Sequence, residues 1–242
     1  MLISSIDNQK IKDLKKLRER KYRDKENLFL IEGEHLVVEA FKSGVLRELI
    51  LVEDETFSLN IETTYLTKKI MKELSTLDTP TTIIGVCNKL ENSSDLGNHI
   101  LLLDRIQDPG NLGTIIRSAV AFNIDTIILG EGCIDLYNPK VLRATQGLMF
   151  HINIIIKDLF DCINHLKNDN YKILGTRVTE GTNLKEFKNP SKFALVMGNE
   201  GSGVDLKIQK LCDEFICIKA NSNCESLNVS IACSIILYQL DK

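Results

Sequence analysis

The pattern of apolar and polar positions changes character near residue 100. Beyond it, short and mostly apolar runs recur at Ile100–Asp104, Thr126–Leu129, Ile152–Ile156, Tyr171–Gly175, Phe193–Met197 and Phe215–Ile218. Runs without polar alternation predict strands buried on both faces, and the intervening segments 111–122, 139–144, 159–167 and 227–240 predict helices. Together these predict a parallel sheet covered by helices on both sides. Before residue 88 the pattern is mixed. A basic helix is expected over Asn8–Arg20, where Ile11, Leu14 and Leu17 recur at helical spacing. Strand Leu28–Ile31, helix Glu34–Lys42, strands Glu48–Val52 and Thr63–Leu66, helix Lys68–Leu74 and strand Thr82–Cys87 follow. Ser43-Gly44 supplies a helix stop. The stretch 88–98 is polar and without periodicity, which marks a linker. The expectation is a small α/β domain over 1–90 and a larger α/β domain over 98–242.

Three polar stretches stand just after predicted strands, where open α/β sheets bind ligands. In the first, Asp108-Pro109-Gly110 makes a turn and Asn111 is placed as a helix cap, with Arg117 further along an otherwise apolar helix. The second, Gly198 to Gly203, holds Glu200 among three glycines. Its G-x-x-G-x-G spacing fits neither the dinucleotide fingerprint nor a phosphate-binding loop. A turn needs no carboxylate there, so Glu200 is the informative residue. The third is Glu225-Ser226-Leu227-Asn228, where Ser226 reads as the cap of the last helix and Asn228 as a poor helix former inside its first turn.

Composition narrows the class. Across 242 residues, hydrophobic content is 43% and charged content 26%, as in ordinary globular proteins. Apolar runs stay far below the roughly 20 residues a membrane span needs, and the amino terminus has no charged n-region before an apolar core. Seven cysteines form no C-x-x-C pair, which predicts reduced thiols and a cytoplasmic location. Four scattered histidines offer no ligand spacing, so no metal site is expected. Net charge is −3, yet residues 9–25 carry nine Lys/Arg against three Asp/Glu. That density suits a phosphate backbone, with Tyr22 able to stack on a base. It equally suits a solvated helix face.

Taken together, the three stretches resemble the SpoU (TrmH-like) branch of the SPOUT RNA methyltransferases. Asn111-Leu112-Gly113 with Arg117-Ser118-Ala119 matches its first motif. Met197-Gly198-Asn199-Glu200-Gly201 with Gly203 matches its second, and Glu225-Ser226-Leu227-Asn228-Val229-Ser230 its third. Arg143-Ala144-Thr145 with Gly147 also fits the family's usual segment. The region with Glu32-Gly33-Glu34 resembles the ribosomal-protein-like RNA substrate-binding domain that many members carry. Lys219 and Ser222 depart from the common proline and glycine of the loop after the last strand, the loop that lines the adenine pocket.

The resemblance implies a carboxyl-terminal trefoil knot, an exception to the rule against knots. It also implies S-adenosyl-L-methionine as cofactor, methylation of a ribose 2′-hydroxyl, and a homodimer with its sites near the subunit interface. By position, Gly198, Ile218 and Leu227 would contact the cofactor, largely through backbone. Asn111, Arg117, Glu200, Ser226 and Asn228 would form the catalytic and substrate-orienting set, with Glu200 holding Arg117 or Asn111. An arginine at the position of Arg117 is proposed in this family as general base, but a guanidinium does not ordinarily deprotonate. A grip on phosphate is the plainer role. The leading expectation is a ribosomal-RNA methyltransferase acting on 23S-type RNA. A tRNA methyltransferase of the same branch, and a catalytically inactive RNA-binding or ribosome-assembly protein, stand as alternatives.

Overall fold

A computed structural model describes residues 2–221 and 223–241. The chain divides into two compact units, Met1–Glu91 with Asp135–Phe150 and Asn92–Ile134 with His151–Lys242. The segment Asp135–Phe150 therefore packs with the amino-terminal residues, although it lies inside the stretch 98–242.

The first unit runs β1 (Leu2–Ile3), α1 (Gln9–Lys16), α2 (Arg20–Glu26), β2 (Leu28–Glu32), α3 (Glu34–Lys42), β3 (Leu46–Val52), β4 (Thr63–Leu66), α4 (Lys68–Leu74) and β5 (Ile83–Asn88). Its sheet has the order β1-β4-β3-β5-β2. β5 is antiparallel to both of its neighbours, and the other pairings are parallel. Ile11, Leu14 and Leu17 pack with Ile70, Met71 and Leu74 of α4 on Ile50, Val52, Leu66, Ile84 and Val86 of the sheet. This burial is what the helical spacing of α1 is for. Between β2 and α3 the chain turns at Gly33, whose φ of +99° lies where side chains rarely go.

One helix was expected over Asn8–Arg20, and two are found. The break has a physical reason. A helix end leaves carbonyls without partners, and the buried Arg23 donates through Nη1 to the carbonyls of Leu17 and Arg18, both at 2.7 Å. Arg23 thus bends back over the end of α1. Its Nη2 pairs with Asp135, which brings the segment 135–150 into the same unit. Within that segment, helix α5 (Pro139–Thr145) packs on β2, and Tyr137 lies against Phe29 with ring centroids 4.7 Å apart.

The basic stretch is less bare than its composition suggests. Lys10 pairs with Glu48, Lys12 with Asp7 at 3.2 Å, and Lys15 with Glu73 at 3.1 Å. Acids from elsewhere in the unit, or just outside the stretch, balance part of its charge.

The second unit carries a seven-stranded, wholly parallel sheet. In chain order its elements are β6 (His99–Leu103), α6 (Pro109–Ala121), β7 (Thr126–Leu129), β8 (Asn153–Ile156), α7 (Leu159–Asn168), β9 (Lys172–Thr176), β10 (Thr182–Asn183), β11 (Phe193–Met197), α8 (Leu206–Gln209), β12 (Glu214–Cys217) and α9 (Val229–Leu240). Across the sheet the order is β10-β12-β9-β11-β6-β7-β8. Ile100, Leu102, Ile173, Ala194 and Val196 point to one face and pack with Leu159, Ile163 and Leu166 of α7 and Ile208 of α8. Leu101, Leu103 and Leu195 alternate with them, point the other way and are equally buried. That explains the predominantly apolar runs. α6 and α9 pack on each other, joined by a 2.7 Å hydrogen bond between Ser118 and Ser234 hydroxyls. Among the described residues no helix is long and apolar enough to cross a membrane, and no His/Cys/Asp/Glu group has the makings of a metal site.

Removing one partner of a buried ion pair strands the other charge. Asp135→Ala is expected to destabilise the protein by about 3 kcal/mol, read as a lower urea midpoint. The same substitution in an Arg23→Met background should cost clearly less.

Candidate active site at the strand ends

β6 and β11 are neighbours paired over five residues, from His99↔Phe193 to Leu103↔Met197. Two parallel strands in this register end side by side, so the loops 104–108 and 198–205 leave the sheet together. At the end of the first, Asp108 caps α6: its Oδ1 accepts the backbone N–H of Asn111 at 2.7 Å, and Pro109 opens the helix. Asn111 was expected to be that cap. It instead sits in the first turn with its side-chain amide free for other contacts.

Those contacts form a short directional chain. Asn111 Nδ2 donates to Glu200 Oε1 at 3.1 Å, and Asn111 Oδ1 accepts from Asn228 Nδ2 at 2.9 Å. The backbone N–H of Asp108 also donates to Glu200 Oε1, at 3.3 Å. Asn228 is the N-cap of α9, so its Oδ1 is occupied by the N–H groups of Ser230 and Ile231 and by the Ser230 hydroxyl. The cap fixes which end of the Asn228 amide faces Asn111. An amide has one accepting and one donating end, so the Asn111 oxygen must then face Asn228 and its nitrogen must face Glu200. The expectation of Ser226 as cap and Leu227 as first helical residue is corrected accordingly. Ser226 is exposed, and its hydroxyl bonds no other described residue.

The glycine loop closes on itself. Asn199 and Gly203 exchange backbone hydrogen bonds at 3.1 and 3.0 Å, and Asn199 Oδ1 accepts the N–H groups of Gly201 and Ser202. Gly198 is buried where the loop starts and returns. A Cβ there would lie 2.2 Å from the backbone nitrogen of Val204, so no side chain fits.

Gly198, Ile218 and Leu227 share a property that only coordinates reveal. Their backbone N–H and C=O groups bond no other described residue. Ile218 and Leu227 are also half-buried, offering apolar surface beside free backbone donors and acceptors. That donor set fits a nucleoside held by backbone. In the loop after β12, Lys219 is exposed, and Ser222 lies outside the described residues.

Arg117 stands apart. It is exposed on α6 and has no hydrogen bond or ion pair with another described residue. Six residues of helix put it about 9 Å along the axis from Asn111. Glu200 therefore holds Asn111 and not Arg117. Sequence reasoning singled out neither Asp108 nor Asn199 as part of the site. The Asp three residues ahead of Asn111 was a readable cap signal, whereas the role of Asn199 depends on how the loop closes.

Residues 98–238 match the SpoU rRNA Methylase family. The chain belongs to that family. Residues 8–85 match the MRM3-like substrate binding domain. The chain is 41% identical over 244 residues to the 23S rRNA (guanosine(2553)-2′-O)-methyltransferase RlmP of Bacillus subtilis, covering 98% of both. The AdoMet-bound rRNA methyltransferase from Sinorhizobium meliloti superposes with a TM-score of 0.87 at 27% identity, covering 99% of this chain and 97% of that one. The TrmH/SpoU tRNA modifying enzyme of A. aeolicus, also 27% identical, reaches a TM-score of 0.53 and covers 60% of this chain and 74% of its own.

In this SpoU family member, capping and amide orientation can be separated at Asn228. Asn228→Asp should keep the cap, with stability within about 0.5 kcal/mol of wild type, while facing Asn111 with an oxygen and cutting kcat by about tenfold or more. Asn228→Ala should lose both, with about 1 kcal/mol of stability. Thermal unfolding alongside steady-state methyl transfer reads the two effects.

Proposed function

We propose that this SpoU family chain is an S-adenosyl-L-methionine-dependent methyltransferase that modifies a ribose 2′-hydroxyl of 23S-type ribosomal RNA, at the guanosine corresponding to the RlmP target. The observation that carries the reading is the chain Glu200–Asn111–Asn228 beside the free backbone groups of Gly198, Ile218 and Leu227. A transfer-RNA substrate is less favoured, because likeness to the tRNA modifying enzyme extends to only 60% of this chain. A substrate-binding domain matches the amino-terminal residues besides. In this reading residues 1–90 bind the RNA substrate, residues 98–242 form the methyltransferase domain with its trefoil knot, and the enzyme works in the cytoplasm.

Bound S-adenosyl-L-methionine supplies the methyl group. Gly198, Ile218 and Leu227 would hold it through backbone, and Gly198 allows this because the loop returns where a side chain would stand. The work of the remaining residues is positioning. A ribose hydroxyl is a weak acid and must pass its proton to a neighbouring RNA phosphate or to water as its oxygen attacks, so holding that oxygen in line supplies much of the rate. Asn111, oriented by Glu200 and Asn228, would present its amide to the ribose, with Ser226 at the rim. Arg117, free of intramolecular partners, would grip an RNA phosphate with its planar fork, a task that lysine performs less well.

The α9 surface supports a homodimer. Ile231, Ile235 and Tyr238 are 52%, 39% and 57% exposed and follow one another at i, i+4 and i+7 on one stripe. Contiguous exposed apolar surface is where protein interfaces form.

Two experiments test the reading. Ribose-methylation mapping of total RNA should show one 23S-type site that vanishes when the gene is deleted, returns with the wild-type gene and returns weakly with Arg117→Lys. An unchanged map in the deletion strain would count against methyl transfer, and full recovery by Arg117→Lys against the fork. Separately, Ile235→Glu should shift the protein from dimer to monomer in sedimentation velocity.

A further inference from the structure

The ion pair just after β6, a buried Asp104 with a half-buried Arg105, is not explained by the sheet or by the residues proposed to touch cofactor or RNA. Asp104 is only 5% exposed. Its two oxygens receive the Arg105 guanidinium as a fork, Nε to Oδ1 at 2.9 Å and Nη2 to Oδ2 at 3.1 Å, between adjacent residues. Asp104 and Arg105 form the bend just after β6, where the chain turns away from the alternation of the strand. Arg105 has a φ of +55°, in the left-handed region that non-glycine residues seldom occupy. Backbone strain of this kind persists where the surroundings over-determine it.

What surrounds Arg105 is the glycine loop. Asp104 Oδ2 also accepts the N–H of Asp205 at 2.7 Å, at the far end of the loop. The Arg105 carbonyl accepts from Asn199 Nδ2 at 2.8 Å, at the near end. Arg105 Nη2 reaches the Gly203 carbonyl at 3.4 Å. One dipeptide therefore holds Asn199, Gly203 and Asp205, the closing pair and the far end of a loop that contains Gly198 and Glu200.

We infer that Asp104 and Arg105 act as a positioning clasp, setting the height of the 198–205 loop above the sheet and thereby the backbone offered to the cofactor and the carboxylate that orients Asn111. The inference rests on the methyltransferase reading for its consequence, but its first test does not use RNA.

Arg105→Gly separates the clasp from backbone strain, since glycine takes the left-handed φ without steric strain, and Arg105→Lys controls for the added chain freedom of glycine. In hydrogen-exchange mass spectrometry, the variant should exchange amides of the 198–205 loop about tenfold or more faster than wild type, with β6 and β11 unchanged. Calorimetry should show S-adenosyl-L-methionine binding weakened by about tenfold. Loop exchange and cofactor affinity both equal to wild type would overturn the proposal. A uniform rise in exchange through the sheet would also overturn it, because the pair would then be a general stabiliser. The catalytic consequence is read as a double-mutant cycle. Arg105→Gly should lower kcat about tenfold in wild type but less than about twofold in Glu200→Ala, because the path to Asn111 is already cut. Equal factors in both backgrounds would remove the link to Glu200 and overturn that part. A wild-type enzyme that binds cofactor but transfers no methyl group would instead count against the methyltransferase reading and leave the exchange result to decide the clasp. Arg105→Lys, which keeps the charge but not the fork, should reproduce the loop's faster exchange.

Discussion

The parallel register of β6 with β11 is the constraint on which the site depends. Five residue pairs hold the two strands side by side at the centre of a sheet buried on both faces. A one-residue slip would turn Leu102 and Val196 away from the α7 side and break the packing of both layers. The sheet therefore cannot adjust to suit the loops. Loops 104–108 and 198–205 begin at neighbouring points because the core demands it, and Glu200 can reach Asn111 only from that start.

On this rigid base the polar groups are ordered by direction rather than by charge. The N–H groups at the start of α9 need an acceptor, and Asn228 gives its oxygen. That choice fixes the amide, which fixes the next one, which leaves a donor for a carboxylate. Helix capping, an ordinary requirement of α9, thus sets the orientation of a residue on α6. The same economy appears at Arg23, where completing the carbonyls of α1 also engages Asp135.

The sequence made most of the strands legible because burial on both faces removes polar alternation, and Phe193–Met197 and Thr126–Leu129 are found where they were expected. The motif residues were legible as residue types in order. Their local roles were not. Asn111 and Ser226 were read as caps because Asn and Ser cap well in general, while Asp108 and Asn228 won those positions. Cap choice depends on where the chain enters the helix, and tertiary packing of α6 and α9 decides that. The two-helix form of residues 9–26 escaped for a similar reason. Ile11, Leu14 and Leu17 keep helical spacing through the break, and only the return of Arg23 reveals it. The brief β10 strand and the Arg105 backbone carry no periodic signal at all.

Charge gives the last step. A local excess of six positive charges over residues 9–25 suggests binding dominated by counterion release. The fold qualifies this by setting Glu48, Asp7 and Glu73 against Lys10, Lys12 and Lys15. The Lys12 and Lys15 pairs are the more exposed and so weak; phosphate can displace their carboxylates, but each exchange returns less than neutralising a bare lysine would, and the largely buried Glu48 stays with Lys10. An RNA ligand bound through such a surface, on a protein of net charge −3, must gain its affinity from fit as much as from attraction. Recognition by shape and by unstacked bases is the usual mode for structured RNA. Under the proposed function, a surface of this kind would select its RNA by shape more than by charge.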